Sequence, residues 1–128
     1  MRELERLRRA LTPEQARAAL DVALLRRRAR AKFPAPDGLY FTREALEQAS
    51  AAPVAARRAA RLAPLGAVAD LGCGVGGDAL ALAAAGAAVT AVDRDELRLA
   101  MARANAEALG LADRIDFLRR DLLAEPPP

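Results

Sequence analysis

A glycine-rich stretch, residues 70–78, carries the residue types that most clearly indicate chemistry in this chain. Gly72, Gly74 and Gly77 have the G-x-G-x-x-G spacing of turns that bind dinucleotides. Glycine in such a turn adopts backbone angles that other residues resist, and it lets the main chain approach a ligand closely. The helix that follows would point its free N–H groups at a polar group above the turn. The stretch therefore predicts a site for a nucleotide-type ligand.

The charge beside the turn distinguishes between two kinds of nucleotide ligand. The glycine spacing, with Asp93 placed to accept a ribose hydroxyl, taken alone favours NAD. Asp70, however, lies where the pyrophosphate of a dinucleotide would sit, and a carboxylate there repels phosphate and attracts a cation. We therefore favour S-adenosylmethionine, because its sulfonium and amino groups are positive and it carries no phosphate. An NAD-dependent oxidoreductase is the less favoured alternative.

The residue types that are missing exclude several other kinds of site. The chain has no histidine and one cysteine, Cys73. An internal disulfide, a Cys/His zinc site and a histidine-based catalytic triad are therefore excluded, and we predict no metal site. Because no base is placed to activate its thiol, Cys73 is expected to fill the turn as a small buried side chain rather than act as a nucleophile.

Alternating strands and helices position the glycine turn and the acids. Apolar runs predict strands over residues 67–71, 88–92 and 115–118, separated by helices that end at Gly86 and Gly110. This β-α-β-α-β order predicts an α/β fold with three parallel strands, in which ligands bind outside the carboxyl ends of the strands. Acids near the three strand ends should line one crevice: Asp70, Asp93 and Asp121.

A basic, all-helical segment precedes the strands. Residues 1–62 carry 14 basic and 7 acidic residues, a net charge of +7, whereas residues 63–128 carry 6 basic and 10 acidic residues, a net charge of −4. A basic surface is typical of proteins that bind nucleic acid, although arginines on amphipathic helices are at least as often simply solvated. We interpret residues 1–63 as a helical segment that contacts RNA, and residues 64–128 as a Rossmann-like half-domain.

Capping residues divide this segment into four helices. They are predicted over residues 2–11, from Pro13 to about Lys32, after Thr42 to about Ala49, and over residues 51–63. Thr12 is the expected N-cap of the second helix and Ser50 that of the fourth. The cluster Leu39-Tyr40-Phe41 is expected to anchor these helices onto the strand-containing half.

Together these residues resemble class I S-adenosylmethionine-dependent methyltransferases. Residues 70–77 resemble the first motif of that family, with Asp93 at the ribose position and Asp121 at the acidic position after the third strand. Residues 89–123 look most like the trimethylguanosine-synthase-like branch, and residues 32–49 look like bacterial methyltransferases that carry a THUMP-like domain. The resemblance covers nearly the whole chain, and our first hypothesis is a methyltransferase that acts on RNA.

The resemblance also implies roles for individual residues. Residues 72–76 would pass under the methionine part of the cofactor, and Asp70 would contact its amino group directly or through water. Asp93 would accept both ribose hydroxyls, Asp121 would take the adenine amino group, and Arg94 would lie beside the adenine.

Two further positions complete the implied site. The segment that contains Thr42 approaches the cofactor in related enzymes, and Asp78 either contacts the cofactor or favours the helix N-terminus electrostatically. The implied cofactor-binding residues are Asp70, Gly72, Cys73, Gly74, Gly76, Asp78, Asp93, Arg94, Asp121 and Thr42.

The resemblance does not extend to the motif that positions the methyl acceptor. In this family the motif that positions the methyl acceptor follows a fourth strand, and the sequence stops at Pro128, before that strand, so no catalytic residue is named. We expect either a fragment of a longer enzyme or a chain whose first strand is covered by another chain, as in a homo-oligomer, because an open apolar edge invites pairing. A non-catalytic module that binds nucleic acid or dimerises is the alternative. The charged N-terminus and the lack of a long apolar run predict a cytoplasmic protein without membrane contact.

Overall fold

The computed structural model describes residues 2–128. Along this range it contains the following elements: α1 (Arg2–Ala10), α2 (Pro13–Ala29), α3 (Arg43–Gln48), α4 (Ala52–Leu62), a 3₁₀ turn (Ala63–Leu65), β1 (Ala67–Leu71), α5 (Gly77–Ala84), β2 (Ala88–Asp93), α6 (Glu96–Ala108), a second 3₁₀ turn (Ala112–Arg114) and β3 (Ile115–Arg119). The predicted α/β fold, four helices followed by half of a Rossmann-like sheet, is confirmed. No helix among these residues is both long enough and apolar enough to cross a bilayer.

The sheet has three parallel strands in the order β1-β2-β3. In its register Leu71 lies beside Val92, and Asp93 lies beside Arg119. The carboxyl ends of all three strands therefore meet at one edge, as the β-α-β-α-β order predicts. The central strand β2 is buried along most of its length, which is typical of a parallel strand with a neighbour on each side.

The larger hydrophobic core lies against the sheet and includes residues of four helices or strands besides β2. α4 packs on α5, and Ala59 of α4 belongs to this core together with Leu80 and Leu82 of α5 and Leu99 of α6. Burial of these apolar side chains stabilises the fold at roughly 25 cal/mol per Å² removed from water. The helical segment thus contributes to the same core as the strands.

A second core joins the helical segment to the glycine turn. Its buried members are Ala29, Leu39, Phe41, Ala45, Leu46 and Val75. The rings of Phe33 and Phe41 pack with their centroids 5.1 Å apart. The predicted anchoring is confirmed for Leu39 and Phe41, whereas the Tyr40 ring is exposed and lies 5.1 Å from the Arg26 guanidinium.

Two predicted helix boundaries differ from the structure. α2 ends at Ala29 rather than near Lys32, because the chain tightens into i→i−3 turns, with the amides of Ala31 and Lys32 donating to the carbonyls of Arg28 and Ala29, before Pro34. The Lys32 Nζ donates to the carbonyls of Leu46 and Glu47, both at 2.7 Å, at the end of α3. Ser50 does not cap α4. The N-cap is Ala51, which makes no side-chain bond, while the Ser50 hydroxyl contacts Asp78 on α5. Thr12 caps α2 as predicted.

The side chain of Asn105, on α6, holds the helical segment and the glycine turn together. It is 1% exposed, and its Oδ1 accepts a hydrogen bond from the Tyr40 amide at 2.6 Å. Its Nδ2 donates to the carbonyls of Tyr40 and Val75, both at 3.0 Å. One backbone N–H and two backbone carbonyls surround the Asn105 side-chain amide. Only one placement of its oxygen and nitrogen satisfies all three partners.

Replacing Asn105 should therefore destabilise the fold strongly. We expect Asn105→Ala to lower the free energy of unfolding by about 3 kcal/mol or more, since three buried or half-buried backbone groups lose their partner. Urea denaturation measures the loss, with Glu107→Ala on the exposed face of α6 as the matched control. A loss below about 1 kcal/mol, equal to that of the control, would contradict the role assigned to this amide.

Candidate functional site

The glycine turn between β1 and α5 has a backbone that only glycine adopts easily. Gly72, Gly74 and Gly76 all have positive φ, at 82°, 57° and 96°. The amides of Gly72 and Cys73 donate to the carbonyl of Val92 at 2.7 and 2.8 Å, so the turn is fastened to the end of β2. A Cβ on Gly76 would lie 3.3 Å from the Ala102 Cβ, which leaves little room for a side chain there.

Asp93, the last residue of β2, links the turn to the rest of the sheet edge. It is 7% exposed, and its two oxygens accept hydrogen bonds from the amides of Gly74 and Asp95, both at 2.9 Å. A carboxylate has about four acceptor positions, so each oxygen keeps one for a further donor. Asp93 is therefore placed, and has the capacity, to accept hydroxyl groups from a ligand.

A small cavity of about 80 Å³ lies over the glycine turn. The turn forms its floor, and Ala45, Gln48 and Ala49, at the end of α3 and just after it, form another wall. Besides Gln48, the polar side chains of Ser50, Asp78 and Arg98 line it. Because one water molecule needs roughly 15 Å³ of such space, the cavity accommodates a small polar group but not a nucleoside.

Two carboxylates beside this cavity have oxygens without a partner. Asp70 Oδ2 and Asp78 Oδ1 are fully buried atoms that accept no hydrogen bond in the described structure. Burial, and then the charge of Asp78, raises the pKa of Asp70 from 3.8 to about 6. Buried acceptors without donors are costly, and two of them together attract a positively charged donor.

An open cleft of about 570 Å³ lies on the other side of Asp93, at the ends of β2 and β3. Its lining combines arginines and acids: Arg94, Asp95, Arg119, Arg120, Asp121 and Glu125. Asp121 Oδ1 accepts the Leu123 amide at 3.0 Å, and Arg120 donates to the Pro126 carbonyl at 2.7 Å. These two bonds lie within the chain after β3, and the Arg120 amide fastens that chain to the end of β2 by donating to the Asp93 carbonyl at 3.1 Å. The cleft is large enough for a nucleoside.

The structure brings most of the residues singled out from the sequence to these two spaces. The small cavity receives Gly72, Cys73, Gly74 and Asp78, with Asp70 beside it; the cleft receives Arg94 and Asp121, and Asp93 lies between them. Gly76 is buried beneath the turn. Thr42 lines neither space, because its hydroxyl caps α3 by accepting the Ala45 amide at 3.0 Å. Their roles as cofactor ligands stay predictions.

Cys73 is the small buried side chain that the sequence indicates. It is 8% exposed, and its Sγ lies 3.6 Å from the Gly74 carbonyl. Burial raises the pKa of the thiol to about 12, and the charges of Asp70 and Asp93 add to the effect. The thiol is therefore protonated near neutral pH and is a poor nucleophile.

Several residues near the site were not identified from the sequence. The sequence predicts Ser50 as a helix cap, and Arg58 and Arg98 enter only through the net charge of their halves of the chain. Arg98 is half-buried and lies 3.6 Å from Glu44 and 3.9 Å from Asp95, so it joins α3 to the start of α6. Asn105 carried a usable signal, since it is the one asparagine of the chain and lies on the buried face of α6.

Comparison with known proteins finds a similarity in the strand-containing half. Residues 68–128 match the family model described as a methyltransferase domain. No curated protein matches the chain. The matched range contains the glycine turn, Asp93 and Asp121, which are the residues on which the resemblance rests. The finer placement near the THUMP-like or trimethylguanosine-synthase-like branch stays a prediction. Residues 68–128 are therefore similar to a methyltransferase domain.

Proposed function

We propose that the chain binds S-adenosylmethionine at the glycine turn and belongs to an enzyme that methylates RNA. One observation carries the choice of cofactor: the unpartnered oxygens of Asp70 and Asp78 beside the turn of a methyltransferase domain. These oxygens fit an ammonium group, which is a positive donor. They do not fit the pyrophosphate of NAD, because two carboxylates would repel it.

The two spaces correspond in size and chemistry to two parts of the proposed cofactor. The small cavity suits the amino-acid part, and the cleft at the ends of β2 and β3 suits the adenosine. Asp93 would hold the ribose hydroxyls between them, and Asp121 and Arg94 would lie at the adenine. When bound, S-adenosylmethionine supplies a methyl group on a positively charged sulfur. The residues named here hold and orient that donor, and orientation is the main requirement of methyl transfer to a nucleophile.

The charge of the helical segment supports RNA as the acceptor. Residues 2–62 expose twelve arginines, and of these only Arg58 has a carboxylate within 4.0 Å among the described residues. Unpaired surface arginines are available to phosphates, and such contacts make binding strongly dependent on salt. Arg26 and Lys32, which are half-buried, instead hold backbone carbonyls of their own segment.

Calorimetric titration tests the cofactor assignment. We expect binding heat on adding S-adenosylmethionine or S-adenosylhomocysteine. We expect Asp93→Ala to weaken the binding of both ligands by more than tenfold, since two ribose hydroxyls lose their acceptor. Asp93→Asn, which keeps one oxygen acceptor, and Asp113→Ala, at an exposed position, serve as controls for folding. A folded wild-type chain that binds neither ligand, or an Asp93→Ala variant that binds like the wild type, contradicts the assignment.

The unusual pKa of Asp70 gives a pH-dependent prediction. Because its pKa is higher in the folded chain than its ordinary value, the native state holds this proton up to about pH 6, and stability falls as the pH rises from about 4 through 6. We expect Asp70→Asn to be more stable than the wild type at pH 8, by an amount on the order of 2 kcal/mol, and to lose most of that advantage at pH 4. Urea denaturation at both pH values, with Asp113→Asn as the control, measures this. An advantage that does not change with pH would contradict it.

Filter binding with a single-stranded RNA tests the acceptor class. We expect Arg27→Ala/Arg28→Ala on α2 to weaken binding and to lower the slope of log K against log salt by roughly 1.4, which is the contribution of two phosphate contacts. The matched double variant, Arg103→Ala/Arg114→Ala, removes two exposed arginines from the α/β half and should change the slope little. Equal losses in the two variants would show that net charge, rather than the helical segment, governs binding.

A further inference from the structure

We propose that Arg58, held in place by Ser50, binds the carboxylate of the amino-acid part of the methyl donor. The inference rests on the proposed function, and it adds a specificity-determining residue from the helical segment, outside residues 68–128. It concerns the side chains that meet where α4 lies against the N-terminus of α5.

Three polar side chains from separate stretches meet at this point. The Nη1 of Arg58, on α4, donates to the Ser50 hydroxyl at 2.7 Å and to Asp78 Oδ2 at 3.0 Å. The Ser50 hydroxyl lies 3.2 Å from the same Asp78 oxygen. Ser50 and Asp78 line the small cavity over the glycine turn, so the guanidinium is held at its border.

Stability alone is a weak reason for this arrangement. The Arg58 side chain is 54% exposed, and an ion pair exposed to that degree contributes roughly 0 to 1 kcal/mol. The pair also leaves the other Asp78 oxygen, Oδ1, buried without a donor. A purely structural contact between α4 and α5 would not require an unpartnered buried oxygen.

The charges are arranged as an α-amino-acid group requires. Such a group carries an ammonium and a carboxylate on the same carbon atom, so it needs acceptors and a cation close together. Asp70 Oδ2 and Asp78 Oδ1 are the acceptors without donors, and the Arg58 guanidinium is the adjacent cation. Both bonds that Arg58 makes within residues 2–128 come from Nη1, whereas a guanidinium has five N–H donors, which leaves capacity for a carboxylate.

The size of the space and the charge of Arg58 favour this ligand group over other cations. The cavity of about 80 Å³ accommodates a group of a few atoms. A divalent metal ion at the two free oxygens would lie close to the guanidinium that already pairs with Asp78, and like charges repel. A zwitterion places its negative end at Arg58 and avoids that repulsion.

Two ligands that differ in the amino-acid part test the proposal. S-adenosylhomocysteine has the amino-acid group, and 5′-methylthioadenosine has the same nucleoside and sulfur without it. We expect Arg58→Ala to weaken the binding of S-adenosylhomocysteine at least tenfold in calorimetric titration. The binding of 5′-methylthioadenosine should change less than twofold. Arg57→Ala, at the neighbouring exposed position of α4, should leave the affinity for both ligands unchanged. Arg58→Lys should recover part of the affinity for S-adenosylhomocysteine that Arg58→Ala loses.

Ser50→Ala gives a second variant that removes no charge. Because the hydroxyl positions Arg58 rather than binding the carboxylate itself, we expect a smaller loss, about threefold to tenfold, again restricted to S-adenosylhomocysteine. The inference would be overturned if either variant weakened the binding of both ligands equally, or if Arg58→Ala bound them as tightly as Arg57→Ala does. Either outcome would leave the cofactor assignment in place. A wild-type chain that binds neither ligand would overturn the proposed function itself.

Discussion

The buried amide of Asn105 is the interaction on which the rest of the structure depends. It stands on α6, which packs against the sheet, and it bonds in one direction to the glycine turn and in the other to the loop between α2 and α3. Without it, the loop at Tyr40 and the turn at Val75 would meet through the apolar packing of Leu39 and Phe41 on Val75, which is not directional. The amide thus fixes the distance between the floor of the small cavity and the segment that covers it. The precision of the site depends on a residue that does not line it.

The site combines this rigidity with unfavourable electrostatics. Asp70 and Asp78 each present a buried oxygen without a donor, and burial with mutual repulsion raises the pKa of Asp70. Such an arrangement lowers stability, and it persists because packing around the turn over-determines the backbone there. A ligand that brought its own positive donors to these oxygens would relieve that cost. The same reasoning explains why a protonated, neutral Cys73 is suited to the turn, since a thiolate would add a third negative charge.

Sequence alone predicted the order of strands and helices along the chain, the glycine turn and the acids at the strand ends, because each depends on local pattern or on a topological rule. Hydrophobic runs gave the strands, glycines marked the turns and helix ends, and parallel strands bring their carboxyl ends to one edge. The contributions of Lys32, Ser50, Arg58 and Asn105 depend on distant partners instead. Ser50 before a helix has the pattern of an N-cap, yet a carboxylate on α5 is the partner it has in the fold. Among fourteen basic residues in the first 62, nothing local distinguishes the arginine that reaches Asp78.

The helical segment is therefore more than a basic extension of the strand-containing half. It supplies the α3 wall of the small cavity, and through Ala59 it contributes to the core against which α5 is packed. A boundary near residue 63 separates two patterns of sequence, but the cavity over the glycine turn has walls from both sides of it. The arginines of this segment fall into two groups. Arg58 is held near the turn by Ser50 and Asp78, while eleven other exposed arginines have no acidic partner among residues 2–128. The helical segment thus both borders the small cavity, through α3, and carries the exposed arginines.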